Sequence, residues 1–322
     1  MSQPAHDREA PGGRFNSRQM KMATNTLELR VCGLQRSGNH AIIEWILEQF
    51  NGQRVCVLNN VRHGDFDPYA TAAQRGARGM DGVPKVDWRR TPKDLVVYSY
   101  EDCATRLKRG ATRLLDSAFS AEFEARREEY LGASGRRLDV IILRDPANFF
   151  ASRLKKLDSL TGIRDLPTIA AFWKELARIA IAAQERPDAS VLVVLYNQWF
   201  TDKRYRQALC THLGGTFSDA SLGRVPAIGG GSSFDATMMS ADLAPRDIFK
   251  HWKKLLRPRT YLMLPSYYRR IRGARRMKVL HRWREFEQDE RLRAVLADPG
   301  LVELSRRLFP EESRTLPVAA PG

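Results

Sequence analysis

Residues 29–47 read LRVCGLQRSGNHAIIEWIL. A largely apolar run, Leu27–Leu34, ends at a glycine-containing polar loop. Apolar residues then recur at Ile42, Ile43, Trp45, Ile46 and Leu47, the spacing of a buried helix face. The stretch therefore predicts a strand, a tight loop and a helix from about Asn39 to Phe50. Such a junction points free backbone N–H groups at whatever lies in front of the helix, and the helix dipole favours an anion there. Gly33 and Gly38 allow close backbone approach, and Arg36 and Ser37 add a cation and a hydroxyl donor. The loop has the physics of a nucleotide phosphate loop but not the GxxxxGK[ST] spacing. No Lys-Ser/Thr pair is present to hold magnesium, which argues against an ordinary nucleoside triphosphatase.

Working outward, Val55–Leu58, Asp94–Tyr100, Leu138–Leu143 and Ser190–Leu195 read as further short strands. Helical patterns fall between them or after them, near 119–131, after Pro146, at 167–185 and at 201–213. Short apolar strands alternating with helices predict a doubly wound α/β fold, with a parallel sheet flanked by helices. Ligands of such sheets bind at the carboxyl ends of the strands. Residues 1–26 are polar, carry Pro4, Pro11, Gly12 and Gly13, and lack the apolar centre of a signal peptide. They read as a disordered tail, 27–235 as the α/β domain, and 236–322 as a basic helical C-terminal region packing on or extending it. The 64–92 stretch, rich in Gly, Asp, Arg and Pro, reads as a long loop.

The 322-residue chain carries a formal net charge of +16, which calls for an anionic partner. Residues 246–284 hold fourteen Lys or Arg against one acidic residue, Asp247, and so supply +13 of that charge. Within them Ile248, Phe249, Trp252, Leu255 and Leu256 share one helix face. A basic amphipathic helix of this kind can lie on an anionic membrane surface or steer an acidic acceptor. Nucleic-acid motifs and zinc spacings are absent, so nucleic acid is not the expected partner. Cys32, Cys56, Cys103 and Cys210 form no CxxC pair and read as reduced, buried thiols. With no apolar stretch near 18 residues, the expectation is a cytoplasmic enzyme, with peripheral membrane contact through 246–284 as a further option.

A second phosphate site is predicted at Arg144-Asp-Pro-Ala-Asn-Phe-Phe-Ala-Ser152. Arg144 ends a strand, where a guanidinium can grip a phosphate with two parallel hydrogen bonds. Asp145 caps the next helix, Pro146 occupies its first position, and Ser152 lies two turns in. The alternative is an Arg144–Asp145 pair with Ser152 packed inside the helix.

Together the loop and this RDPxxxxxS element resemble the two donor-binding motifs of sulfotransferases that use 3′-phosphoadenosine 5′-phosphosulfate (PAPS). The resemblance implies that Gly33, Arg36, Ser37, Gly38, Asn39 and His40 hold the 5′-phosphosulfate. It implies that Arg144 and Ser152 hold the ribose 3′-phosphate, with PAP as product and no metal. Tyr196-Asn-Gln-Trp-Phe200 followed by Leu209–Gly214 looks like the family's "YEDL…FLG" stretch. The chain departs from the family pattern at Asn39 and His40, where Thr, Ser or Arg is common, and it lacks an RKGxxG motif. Gly229-Gly-Gly-Ser232-Ser233 looks like the glycine/serine loop that other branches carry there, which adds Ser232 and Ser233 to the donor site. The resemblance thus implies a bacterial or carbohydrate-type branch rather than the cytosolic phenol or steroid type. The acceptor would be a small molecule or a glycan, including anionic or lipid-linked ones.

Sulfuryl transfer needs positioning, stabilisation of charge on the leaving group, and a base for the acceptor. The resemblance assigns Arg36 to the leaving phosphate. The heparan-type loop, GxRKGGTRALLEML-like, carries a glutamate at the place of Glu44, which makes Glu44 the first candidate base. His40, Glu101 and His63 are the others. Two readings from other classes stand beside this one: an atypical P-loop kinase or phosphotransferase, and a non-catalytic protein that binds membrane surfaces. Acceptor and oligomeric state have no readable signature.

Overall fold

The computed structural model describes residues 24–59, 61, 90–101, 127–155, 165–186, 190–223 and 280–313. His63, Cys103, Ser232, Ser233, residues 64–89 and residues 246–279 of the basic segment lie outside them.

Five strands form one parallel sheet: β1 (Asn25–Gly33), β2 (Val55–Leu58), β3 (Lys93–Glu101), β4 (Ser134–Leu143) and β5 (Val191–Leu195). Their order across the sheet is β2-β3-β1-β4-β5. The chain winds to one side of β1 through β2 and β3, then crosses to the other side for β4 and β5. The crevice at this reversal opens beyond the carboxyl end of β1. Register brings the strand ends level, since Gly33 is paired with Glu101 on β3 and with Ile142 on β4. Leu143 pairs with Leu195 in turn. The carboxyl ends of β1, β3, β4 and β5 therefore share one edge.

Both faces of the sheet are covered, which is why its strands read as near-continuous apolar runs. One face, with Leu29, Val31, Val97, Val140 and Val194, packs on α1 (Asn39–Gln49), α4 (Tyr196–Thr201) and α5 (Lys203–Leu213). The other, with Cys32, Val96, Tyr98, Ile141 and Leu143, packs on α2 (Pro146–Leu154) and α3 (Leu166–Glu185). The same core continues into α6 (Glu290–Leu296) and α7 (Pro299–Leu308), and α8 (Pro310–Ser313) follows directly. This is the α/β architecture expected from the sequence.

Local differences have identifiable causes. β1 starts at Asn25, inside the stretch read as tail, because its amide reaches Leu131 O, Gly132 O and Ser134 Oγ. The stretch expected to be helical from 201 to 213 is broken at Asp202, whose carboxylate accepts from the N–H of Arg204 and Tyr205 and so caps a new helix. Residues 196–200, compared above with a strand-following motif, are themselves helical. Cys32, Cys56 and Cys210 are buried and outside any disulfide, and burial pushes the Cys56 thiol up to about 11. No described helix is long and apolar enough to cross a membrane.

Candidate functional site

The loop between β1 and α1 is shaped by its two glycines. A Cβ on Gly33 would sit 2.3 Å from Asn39 Oδ1, and one on Gly38 would sit 2.2 Å from the Tyr196 ring. Gly38 also has φ +93°, a conformation that side chains disfavour. Arg36 adopts φ +82°, the one non-glycine residue with positive φ among those described. Such a backbone is held only where surrounding contacts over-determine it, and these positions cluster at functional sites. Here Ser37 N donates to Leu34 O at 3.1 Å and the Asn39 amide donates to the same carbonyl at 3.1 Å.

The loop's polar groups are incompletely satisfied from within. Ser37 is 1% exposed and its Oγ has no hydrogen-bond partner. Asn39 Oδ1 is in the same condition. Gly38 caps α1 without any side-chain acceptor, leaving the helix start open to an anion. A buried hydroxyl left without a partner costs about 1–3 kcal/mol, so an external acceptor is the expected resolution.

The second predicted site stands beside the first. Arg144 follows β4 directly and Ser152 lies on α2. Ser152 Oγ accepts from Arg36 Nε at 3.1 Å, and Arg144 Nη1 donates to Arg36 O at 3.4 Å. The Arg144 guanidinium lies over the Tyr196 ring, 5.1 Å from its centre. Arg144 is placed by its backbone as well, since Trp173 Nε1 donates to Arg144 O at 3.0 Å. Asp145 is taken up by Asn148 and Asn197. Its carboxylate accepts from the N–H of Asn148 at 2.9 Å, as expected of a helix cap. Two arginines, a serine and the loop thus converge on one edge of the sheet.

Of the candidate bases, the structure brings His40 and Glu101 together. His40 Nε2 lies 3.6 Å from Glu101 Oε1, with the side chains 24% and 12% exposed. Asn39 donates to the same carboxylate oxygen at 3.2 Å. Glu44 lies four residues further along α1, about 6 Å down its axis. It is on the stripe that leads to Glu48, whose carboxylate is bound by Ser218 and Ser221.

Several site residues had no readable signal in the sequence. Asn148 donates to Leu280 O at 2.9 Å and its Oδ1 accepts from Trp283 N, a contact across more than 130 residues. Glu312 reaches the neighbourhood of Asn197 and Asp145 from the far end of the chain. Burial pushes its carboxyl above the usual range, the Asp145 charge adds to this, and a hydrogen bond with Asn197 opposes it. Asn197 lies in the Tyr196–Phe200 stretch singled out in the sequence by its position after a late strand.

The residues present fit a nucleotide that carries two phosphate groups. The glycine cradle admits a phosphate, Ser37 Oγ lacks a partner, and two guanidiniums face the same edge. Among the described residues no cluster of side chains is arranged to hold a metal ion. No protein-family model matches the chain, and no curated protein sequence matches it. Among solved structures, mouse sulfotransferase SULT7A1 complexed with PAP is 12% identical, with a TM-score of 0.40 over 78% of this chain and 84% of that one. The sulfotransferase domain of the Synechococcus PCC 7002 olefin synthase is 13% identical, with a TM-score of 0.40 over 76% and 95%. Retinol dehydratase in complex with androsterone and PAP is 12% identical, with a TM-score of 0.35 over 91% and 82%. Likenesses this slight assign no activity to this chain.

Proposed function

We propose that this protein is a sulfotransferase that moves the sulfuryl group of PAPS to a hydroxyl or amine acceptor. One observation carries the reading: the Arg36 loop and the Arg144–Ser152 element meet, through Arg36 Nε to Ser152 Oγ at 3.1 Å, at the carboxyl edge of the sheet. Two cationic phosphate sites side by side suit a nucleotide phosphorylated at both ends of its ribose. The loop lacks the Lys-Ser/Thr pair that a magnesium nucleotide needs. The motif resemblance read from the sequence points the same way.

When bound, PAPS supplies a sulfuryl group on a good leaving phosphate. The chain's part is positioning and electrostatics. The loop N–H groups and Ser37 Oγ bind the 5′ end. Arg36 stands where negative charge grows on the leaving oxygen, and Arg144 with Ser152 binds the 3′-phosphate. The basic composition suits a glycan or other anionic acceptor.

Thermal shift separates this reading from a phosphotransferase. PAP at 100 times its Kd stabilises the protein by about 2.7 kcal/mol, while ATP with magnesium gives little. Stabilisation by ATP-magnesium and none by PAP overturns it.

A further inference from the structure

We propose that His40 and Glu101 act as one unit, with His40 taking the acceptor's proton and Glu101 aiming its ring. The inference rests on the sulfotransferase reading and adds which residues complete the reaction.

The pair is built by the sheet and by one amide. Register sets Glu101, the last residue of β3, beside Gly33, the last residue of β1. The polar loop begins one residue later, and His40 is the second residue of the helix that follows it. Asn39 Nδ2 then donates both to Leu34 O at 3.1 Å and to Glu101 Oε1 at 3.2 Å. A single amide ties the carboxylate to the curvature of the anion loop. The same oxygen, Oε1, faces His40 Nε2 at 3.6 Å.

That distance exceeds a made hydrogen bond, and His40 Nε2 has none. Catalytic hydrogen bonds are often long before substrate arrives and tighten on binding. A carboxylate facing Nε2 selects the tautomer that carries its proton there. Nδ1 is then left with a lone pair, which is what a base needs. The pair is buried enough to be held and open enough to be reached, at 24% and 12% exposure. Glu44 lies on the same side of α1, one turn further from the loop, with Glu48 one turn beyond it and held by Ser218 and Ser221.

The step balances as follows. The acceptor oxygen forms a bond to sulfur, and its proton passes to His40 Nδ1. The bond from sulfur to the bridging oxygen breaks, and its electron pair stays on the departing 5′-phosphate, facing Arg36. His40 returns the proton to water. His40 is the catalytic residue here and Glu101 a positioning residue.

The test uses the full chain with His40→Gln, His40→Ala, Glu101→Ala, Glu101→Gln and Glu44→Gln. Turnover of PAPS is followed with the best acceptor from a panel of a heparosan oligosaccharide, N-acetylglucosamine, an alkyl alcohol and p-nitrophenol. Both His40 variants lower kcat by about 10²-fold or more, the scale of a lost general base, with PAP Kd changed only a few-fold. Glu101→Ala lowers kcat by about 10-fold, Glu101→Gln restores part of it, and the double variant His40→Gln/Glu101→Ala is no worse than His40→Gln. Independently of turnover, nitrogen NMR of histidine-labelled protein shows the Nε2–H tautomer of His40, and Glu101→Ala loses that preference. Near-normal kcat in both His40 variants overturns the proposal. So do nitrogen shifts unmoved by Glu101→Ala, or a large loss in Glu44→Gln alone. Absence of PAP binding to the unmodified protein overturns the sulfotransferase reading instead, and the NMR result still reports on the pair.

Discussion

At the amino end of the sheet, Glu28 is fully buried and both its oxygens are occupied. Oε1 accepts from Tyr98 OH at 2.7 Å and lies 3.6 Å from Arg137; Oε2 accepts from Arg127 and Ser134. Next to it, Arg30 and Asp139 form a two-point pair at 2.7 and 2.8 Å. Beyond the carboxyl end of β1, Ser37 Oγ, Asn39 Oδ1 and His40 Nε2 have no hydrogen bond. Both regions are polar, buried and rich in arginine. At the amino end the carboxylate oxygens are met from within the fold, although Asn25 Oδ1, Arg127 Nε and Arg137 Nε beside them make no hydrogen bond; at the carboxyl end the open groups are those of an anion loop at a helix start. The carboxylate at the amino end serves the fold, and the open groups at the carboxyl end lie where the proposed donor would bind.

Four substitutions break or sharpen that contrast. Glu28→Ala has the largest effect: losing one partner of a buried charge network costs about 3–5 kcal/mol of stability in urea unfolding. Below the unfolding transition, PAP affinity stays within a few-fold. A large loss of affinity in folded protein would make the two ends one coupled system. Gly38→Ala destabilises by about 2–4 kcal/mol, because an L side chain is strained at φ +93° and its Cβ meets the Tyr196 ring. PAP binding falls with it, read by titration calorimetry. Arg144→Ala is the converse of Glu28→Ala. It weakens PAP binding by about 30-fold, a charge-assisted hydrogen bond of about 2 kcal/mol, and leaves Tm nearly unchanged. Unchanged PAP affinity removes Arg144 from the 3′-phosphate. Ser37→Ala has the smallest effect and an opposite sign in the two assays. The unliganded protein is equally stable, or more stable by up to about 1 kcal/mol, because an unpaired buried hydroxyl is gone. PAP affinity falls about 5-fold. A loss of stability without a loss of affinity would mean that Ser37 belongs to the fold, like Glu28.

The comparison also locates what was readable in one dimension. β1, the loop and α1 were visible because apolar periodicity, two glycines and a polar insert are all local signals. Arg144, Asp145 and Pro146 were visible for the same reason, as a strand end, a cap and a first-turn proline. The split at Asp202 was missed because capping turns on whether its carboxylate faces the next N–H groups. Glu44 comes first among the candidate bases in the sequence because it falls at the glutamate position of the heparan-type loop, a match made within one short stretch. A carboxylate at the end of β3 reaches His40 only through strand pairing, 61 residues apart in the chain.

Residue order alone settled that strands and helices alternate, that two elements have the local form of anion sites, and that one of them lacks the magnesium-holding pair. These follow from periodicity and turn chemistry within about ten residues. The fold decided that the two elements are neighbours, since the strand order β2-β3-β1-β4-β5 sets β4 against β1 and register levels their ends. It decided too that Asn39 joins the loop to Glu101, and that Leu280 and Glu312 come back to the same region. Such contacts depend on where the sheet puts distant residues, and no local pattern of side chains encodes that.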